Sequence, residues 1–476
     1  LNIIFDITRL LRRSSAFTPT GIDRVELAYA RHLREHYPEE AHFIGRLRSR
    51  PWHLRADACH SFIDTLTKRW ELSNELISRG EISRLEAFLD LPAGAFAAPD
   101  EQPVRRSAIP ALAPSLPVLL SPLSLWPDRA CRRFNKGAVY LNVSHEGLIA
   151  RRDVSRLVEV RNLLPIYLVH DLIPISHPEY ARPGDRQKHE ARMRTVLNSA
   201  VATLTNSEHT SQMLSEFATI QGLNLAPTVV SPLGVEKKFS EKVDMAPIDT
   251  PYFVMIGTIE PRKNHLTILH LWRHLAQTSA VVPKLIMIGK RGWENENVVD
   301  IIERCDTLSP HVRECNRLPD HLLRHLMSNA RGVLMPSFAE GYGLPLAEAL
   351  TMGAPVICSD LSVFREIAGD APEYISPIDG AEWMRTVMEY AKPDSPRRDA
   401  QLARIKRFTP PTWEKHFAAL DHLIELVHGT SKRSATAIRP ARHRLTGAPQ
   451  QQGTVATRMR ENIADMIATE NENAAA

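Results

Sequence analysis

No Cys-x-x-Cys pair occurs in this chain. Its five cysteines, Cys59, Cys131, Cys305, Cys315 and Cys358, are scattered along the sequence. An odd, dispersed set excludes a disulfide framework and a cysteine zinc site, and reads as reduced thiols of a cytosolic protein. No apolar run reaches the length of a membrane span, and the first residues pattern as a strand instead of a signal peptide. An excess of one charge is also missing: 59 basic residues stand against 55 acidic ones, a formal net charge of +4. That balance creates no demand for nucleic acid, although it permits weak peripheral attraction to an anionic membrane. No Gly-x-Gly-x-x-Gly turn follows an expected strand, so the fingerprint of a dinucleotide oxidoreductase is absent.

What is present is an ordinary globular composition of 476 residues, 43% hydrophobic and 24% charged. That is enough for two or three domains with real cores. Short apolar runs alternate with helical patterns. In the first part they are "LNIIFDITRL", "GAVYLNV" (137–143), "LPIYLVH" (164–170) and "AVATLTN" (200–206). After a Pro- and charge-rich linker come "YFVMIG", "KLIMIG", "HVRECN", "GVLMPS" and "PVICS". Strands alternating with helices predict parallel sheets covered on both faces, here in two lobes with a cleft between them. The boundaries expected are a first α/β lobe over 1–240, a second over 241–410, and a helix at 411–429 crossing back to the first lobe. Residues 50–135 hold a helical section and then a proline-rich passage, and read as an irregular or helical insertion covering one face. Residues 430–476, poor in apolar side chains, read as a disordered tail.

Polar motifs fall at the C-terminal ends of these strands, where ligands of open α/β sheets collect. "FAEGYGLPLAEAL" (338–350) places Glu340 in a glycine loop after a strand and Glu348 just inside the following helix. Between them lie free backbone N–H groups and the positive end of the helix dipole, around Gly343 and Leu344. Pro345 suits the first helical turn. "GTIEPRKN" (257–264) sets Arg262 and Lys263 between another strand and its helix. A basic helix start is disfavoured by the dipole, so these charges call for a ligand. "TGIDR" offers Gly21 at a strand–helix turn, and "LVHDLIP" closes a strand with His170 and Asp171. "YLNVSHEGL" supplies Asn142 and His145 at a further strand end, and "TNSEHTS" reads as a helix cap by Asn206 or Ser207. A solvated loop, a simple turn or a core histidine competes with each of these functional readings.

Taken together, these residues resemble the retaining, nucleotide-sugar-dependent glycosyltransferases of family 4, which have the GT-B fold. The resemblance covers most of residues 1–425 and is strongest over 252–380. Its hallmark is a glutamate, seven residues and a second glutamate, matched by Glu340 and Glu348. It implies that Glu340 faces the donor sugar, that Glu348 holds the nucleotide ribose and that Lys263 binds the diphosphate. Many members carry arginine directly after the glycine. Thr258 stands there in this chain, and Arg262 is expected to supply the missing charge. The resemblance makes Glu340, His170 and Lys263 the catalytic candidates. Arg262, Lys263, Glu348, Gly21, Gly343 and Leu344 are the donor-binding ones, with Trp293 of "IGKRGWE" at the base-binding wall. Asn142, His145 and Asp171 are candidates for the acceptor.

No Asp-x-Asp triplet occurs in the chain. A metal-dependent sugar transferase of the other common fold would need one to hold Mg²⁺ or Mn²⁺ on the diphosphate. The implied activity is therefore metal-independent hexosyl transfer with no cofactor beyond the nucleotide sugar. GDP-mannose is the first donor expected and a UDP-hexose the second. The acceptor is expected to be a saccharide or lipid-linked saccharide of a bacterial surface or extracellular polysaccharide. A catalytically silent nucleotide-sugar-binding scaffold and, behind it, an NAD-type oxidoreductase are the alternatives.

Overall fold

The structure, a computed structural model, describes residues 1–16, 18–47, 50–74, 79–96, 137–149, 162–243, 245–316 and 318–437, together with residues 460 and 463. The first sheet is built from β1 (Ile3–Asp6), β2 (Ala41–Leu47), β3 (Arg50–His53), β4 (Val139–Asn142), β5 (Leu164–Val169), β6 (Ala202–Thr205) and β7 (Thr228–Val230), in the order β3-β2-β1-β4-β5-β6-β7. Every pair is parallel except β2 with β3. The second sheet contains β8 (Tyr252–Ile256), β9 (Lys284–Ile288), β10 (Val312–Cys315), β11 (Gly332–Met335), β12 (Val356–Ser359) and β13 (Glu373–Ile375), all parallel, in the order β10-β9-β8-β11-β12-β13.

The apolar runs follow from burial on both faces. Ile3 and Phe5 of β1 enter the core on one side of the first sheet while Ile4 enters the other. In the second sheet Phe253 and Met255 point to one face, and Tyr252 and Val254 to the opposite one. Period-two alternation with both sides apolar reads in sequence as a continuous hydrophobic stretch.

Beyond β3, the described part of residues 50–135 is mainly helical, as expected, but it covers both lobes instead of one face. The helix Ala56–Asn74 packs on the first sheet through Phe62, Ile63, Leu66 and Trp70. The helix Arg79–Phe88 and the turn after it instead join the core of the second sheet. Leu85, Phe88, Leu89 and Phe96 pack there with Tyr252, Val254, Ile286 and Ile288. The reason is a gap. The helices His265–Thr278 and Glu296–Arg304 lie together on the other face of β8 and β9. This strap fills the face they leave bare, beside Leu322 and Leu326 of the helix Asp320–Asn329. Residues 97–136, which hold the proline-rich passage, lie outside the described residues.

The helix Trp413–Ala437 returns to the first lobe, where Phe417, Leu420, Leu423, Ile424 and Val427 join its core. It runs past the end expected at residue 429. Of the tail read as disordered, Ile463 is buried in that same core. Arg460 donates to the carbonyls of Ala200 and Leu197. A few late residues thus dock on the first lobe, and the remainder of 438–476 lies outside the described residues. Among the described residues no helix is long and apolar enough to cross a membrane.

Candidate active site

The cluster begins where β8 ends. A short 3-10 turn, Pro261–Lys263, leads into the helix His265–Thr278 through Asn264, whose φ of 58° is left-handed. The Asn264 amide donates to the carbonyls of Pro336 and Pro377, so one side chain ties the ends of β8, β11 and β13 together. That fixes the direction of Arg262 and Lys263. Both turn to the loop after β11, where Glu340 is 7% exposed. Arg262 Nη1 donates to Glu340 Oε2 at 2.6 Å and Ser337 Oγ donates to Oε1 at 2.7 Å. Lys263 Nζ also donates to Oε1. Arg262 is further paired with Glu260 at 2.7 Å.

Burial alone would raise the Glu340 carboxyl, but Arg262 and Lys263 outweigh it and hold the group down at about 2. Burial also disfavours the Lys263 ammonium, and Glu340 is the main counterweight. The expected roles set Glu340 at the sugar and the two cations at the diphosphate. In the structure the Glu340 carboxylate sits on both cations. In chemical terms this is a buried anion fixed between two cations at the mouth of a helix, the arrangement that lets an incoming phosphate compete for positive charge.

Glu348 lies in the helix Leu344–Thr351, 5% exposed. That helix starts at Gly343, where φ is +109° and a Cβ would meet Phe364 at 2.7 Å, so glycine is required there. The first lobe approaches this start closely: a Cβ on Gly21 would be 3.6 Å from Leu344 Cδ1. Gly21, Gly343, Leu344 and Glu348, expected together, are together.

His170 and Asp171 end β5 and press against the glutamate loop. A Cβ on Gly341, the residue after Glu340, would stand 2.7 Å from both Asp171 Cβ and the His170 carbonyl oxygen. Burial lowers the His170 imidazole. Its Nε2–H donates to the Val143 carbonyl at 2.6 Å, which leaves Nδ1 as the unprotonated nitrogen of the neutral ring. Asp171 accepts the Ile173 N–H at 3.1 Å, and against burial, which disfavours the Arg262 charge, it adds to the larger effects of Glu340 and Glu260 that raise it.

The two acceptor candidates on the turn after β4 change. Asn142 is fully buried, and its amide is spent on the turn after β4. Nδ2 donates to Tyr140 OH and the Glu146 carbonyl, while Oδ1 accepts the N–H groups of Ser144 and His145. Those four bonds exhaust an asparagine side chain, so its expected contact with an acceptor has no capacity left. His145 is 6% exposed, with φ of 59° and Nε2 donating to the Leu168 carbonyl, and belongs to the same turn. Trp293, expected at the base-binding wall, reaches across the cleft. Its Nε1 donates to the Tyr180 carbonyl at 3.1 Å, with Arg182 4.9 Å over its ring. Ser207 caps the helix Glu208–Gln221 by accepting the Thr210 N–H, as its sequence predicts.

Residues that the motifs did not single out complete the seam. Arg24, inside "TGIDR", donates to Glu348 at 2.5 Å and to Glu236 at 2.6 Å. Glu366 of the second lobe accepts the N–H groups of Glu208 and His209 at the start of a first-lobe helix. Thr210 Oγ1 donates to the Gly341 carbonyl. Arg24 carried a signal, an arginine beside the glycine turn; Glu366 carried none. Among the described residues no group of three or more His, Cys, Asp or Glu side chains is placed to hold a metal ion.

Two facing α/β lobes, a cleft lined by strand ends and a returning C-terminal helix make up the GT-B fold. Solved structures sharing the fold include HepE from Anabaena in complex with UDP, with a TM-score of 0.51 and 12% identity, covering 92% of this chain and 100% of that one. Another is the alpha,alpha-trehalose 6-phosphate synthase of Burkholderia multivorans, with a TM-score of 0.55 and 12% identity, covering 93% and 99%. Residues 236–380 match the family described as "Glycosyl transferases group 1". Among curated relatives, an O-antigen chain mannosyltransferase B of Escherichia coli is 31% identical over 258 residues, 52% of this chain and 66% of that protein. The serotype-specific mannosyltransferase WbdA of Escherichia coli is 28% identical over 259 residues, 48% of this chain and 31% of that protein. The chain therefore spans just under two thirds of the first relative and about a third of the second.

Proposed function

We propose that this chain is a retaining, metal-independent hexosyltransferase. It moves a sugar from a nucleotide diphosphate to a saccharide or lipid-linked saccharide acceptor, in the building of a bacterial surface or extracellular polysaccharide. The observation that carries the reading is the buried cluster of Glu340, Lys263 and Arg262 at the ends of β8 and β11. In the transfer, the bond between the sugar's anomeric carbon and the diphosphate oxygen breaks, and the diphosphate leaves with the electron pair. Lys263 and Arg262 neutralise that developing charge, which is why no metal is needed. As they turn to the phosphates, Glu340 keeps its Ser337 bond and faces the sugar as it becomes cationic. The acceptor oxygen bonds the anomeric carbon on the face the diphosphate leaves, and its proton passes to the departing phosphate. Glu348 takes the ribose hydroxyls as a charged acceptor.

Mannose is the first sugar proposed, because the relatives are named mannosyltransferases, and GDP the first nucleotide; UDP is second, as the nucleotide bound in HepE. Weak, salt-sensitive contact with an anionic membrane belongs to the same reading, since a lipid-linked acceptor lies there. The test is transfer and hydrolysis across GDP-, UDP-, dTDP- and ADP-sugars, with and without EDTA. Turnover should be highest with GDP-mannose, survive chelation and give a product of unchanged anomeric configuration. Loss on chelation restored by Mn²⁺, an inverted product, or no turnover across the panel would each overturn it.

A further inference from the structure

Arg24 rises from the first turn of the helix Gly21–His36 in the first lobe, and its guanidinium crosses to the second. Nη2 donates to Glu348 Oε1 at 2.5 Å and Nε to Glu236 Oε1 at 2.6 Å. Glu236 is in turn paired with Lys238 at 2.8 Å, and Lys238 with Asp320 at 2.7 Å. The result is a chain of alternating charges ending on Glu348. Burial opposes the Arg24 charge, but Glu348 and Glu236 outweigh it and raise the group. The Arg24 side chain is 26% exposed and that of Glu348 only 7%.

We propose that Arg24 is a positioning residue: it orients the Glu348 carboxylate for the nucleotide ribose and makes ribose recognition depend on lobe closure. The inference rests on the reading of Glu348 as the ribose-holding carboxylate. A glutamate side chain has several rotatable bonds, and freezing it costs entropy when a ligand binds. Arg24 removes that cost beforehand by fixing Oε1, and a carboxylate has lone pairs enough to serve the guanidinium and a ribose diol together. Because Arg24 belongs to the other lobe, the carboxylate is held only when the lobes are together. Glu236 keeps the guanidinium in place from its far side, so the contact does not depend on Glu348 alone.

The experiment compares calorimetric binding of GDP with 2′-deoxy-GDP, and of UDP with 2′-deoxy-UDP, to the full chain. The variants are Arg24→Ala, Arg24→Gln, Glu348→Gln and the double variant Arg24→Ala/Glu348→Gln. The wild type should prefer the ribonucleotide, and Glu348→Gln should reduce that preference roughly tenfold or more. Arg24→Ala should reduce it to within a few-fold of Glu348→Gln, and the double variant should go no further. Arg24→Gln, which keeps the packing of the stem, should behave as Arg24→Ala does and covers the case in which alanine disturbs folding. If the Arg24 variants weaken both nucleotide forms equally, or neither, while Glu348→Gln loses the preference, this proposal falls and the ribose reading stands. If Glu348→Gln keeps the preference, the ribose reading falls and takes the proposal with it.

Discussion

At the scale of single residues, the decisive feature is that Glu340 is compensated twice. A buried carboxylate between two cations is held ionised, and each cation is held by it. Removing one partner is therefore unequal in its effects. Lys263→Ala leaves Glu340 with Arg262 and Ser337, so the fold should persist. Turnover should fall by about 10²–10³-fold, because the leaving diphosphate loses its nearest cation; steady-state kinetics beside a thermal melt reads both. Glu340→Gln leaves the buried Lys263 beside a neutral amide, while Arg262 keeps its pair with Glu260. It should lower turnover more than donor affinity and also lower Tm. Saturating GDP or UDP should raise Tm more in this variant than in the wild type, since phosphate replaces the lost negative charge. An equal rise in both proteins would count against a diphosphate beside Arg262 and Lys263.

Among the elements, the returning helix Trp413–Ala437 fastens to the first lobe through a polar contact as well as an apolar face. His416 Nδ1–H points to the carbonyls of Ser231 and Pro232, and Nε2 accepts from Tyr29 OH at 2.7 Å. Burial pushes its imidazole down to about 4, against an ordinary value of 6.5. The neutral form is native and the unfolded chain takes up the proton first. The contribution of this site is thus complete above pH 6.5 and is lost as pH falls from 6.5 towards 4. It is on the order of 3 kcal/mol at most. The stability of the wild type should decline through that window, and His416→Gln should flatten the decline; denaturant melts at stepped pH measure it. An unchanged slope in the variant would assign the acid sensitivity elsewhere, with His265 (lowered to about 3 by burial) the next group to examine.

For the whole molecule, the two lobes are not stacked independently. The strap over 79–96 carries Phe88 and Leu85 into the core of the second sheet, and Thr250 donates back to the Leu89 carbonyl at 2.8 Å. Phe88→Ala should therefore cost about 3–5 kcal/mol, as for any large aromatic deleted from a core. The loss should appear as increased hydrogen exchange in β8 and β9, far away in sequence, and not only around the mutated helix. Exchange confined to residues 79–96 would mean that the strap rests on the second lobe without stabilising it.

The sequence by itself determined two sheets of mainly parallel strands, because strands buried on both faces leave continuous apolar runs such as those of β1, β8 and β11. It also marked the glutamate loop, the Arg262–Lys263 turn and the Gly21 turn, because a helix mouth that must face a ligand needs glycine, proline and charge at adjacent positions. It did not reveal β3, β7 or β13, which are short and sit at sheet edges, nor β2, whose apolar pattern is broken by His42, Gly45 and Arg46, nor the strap, whose apolar face matches a partner that is remote in sequence. Only the tertiary structure decided that Glu340 rests on both cations, that Asn142 is spent on its own turn, and that Arg24 reaches Glu348. Each is a meeting of side chains from distant segments. A local pattern records which face of a segment is buried or charged, but the partner of each charge is set by how two lobes close, and no spacing along the chain encodes that distance.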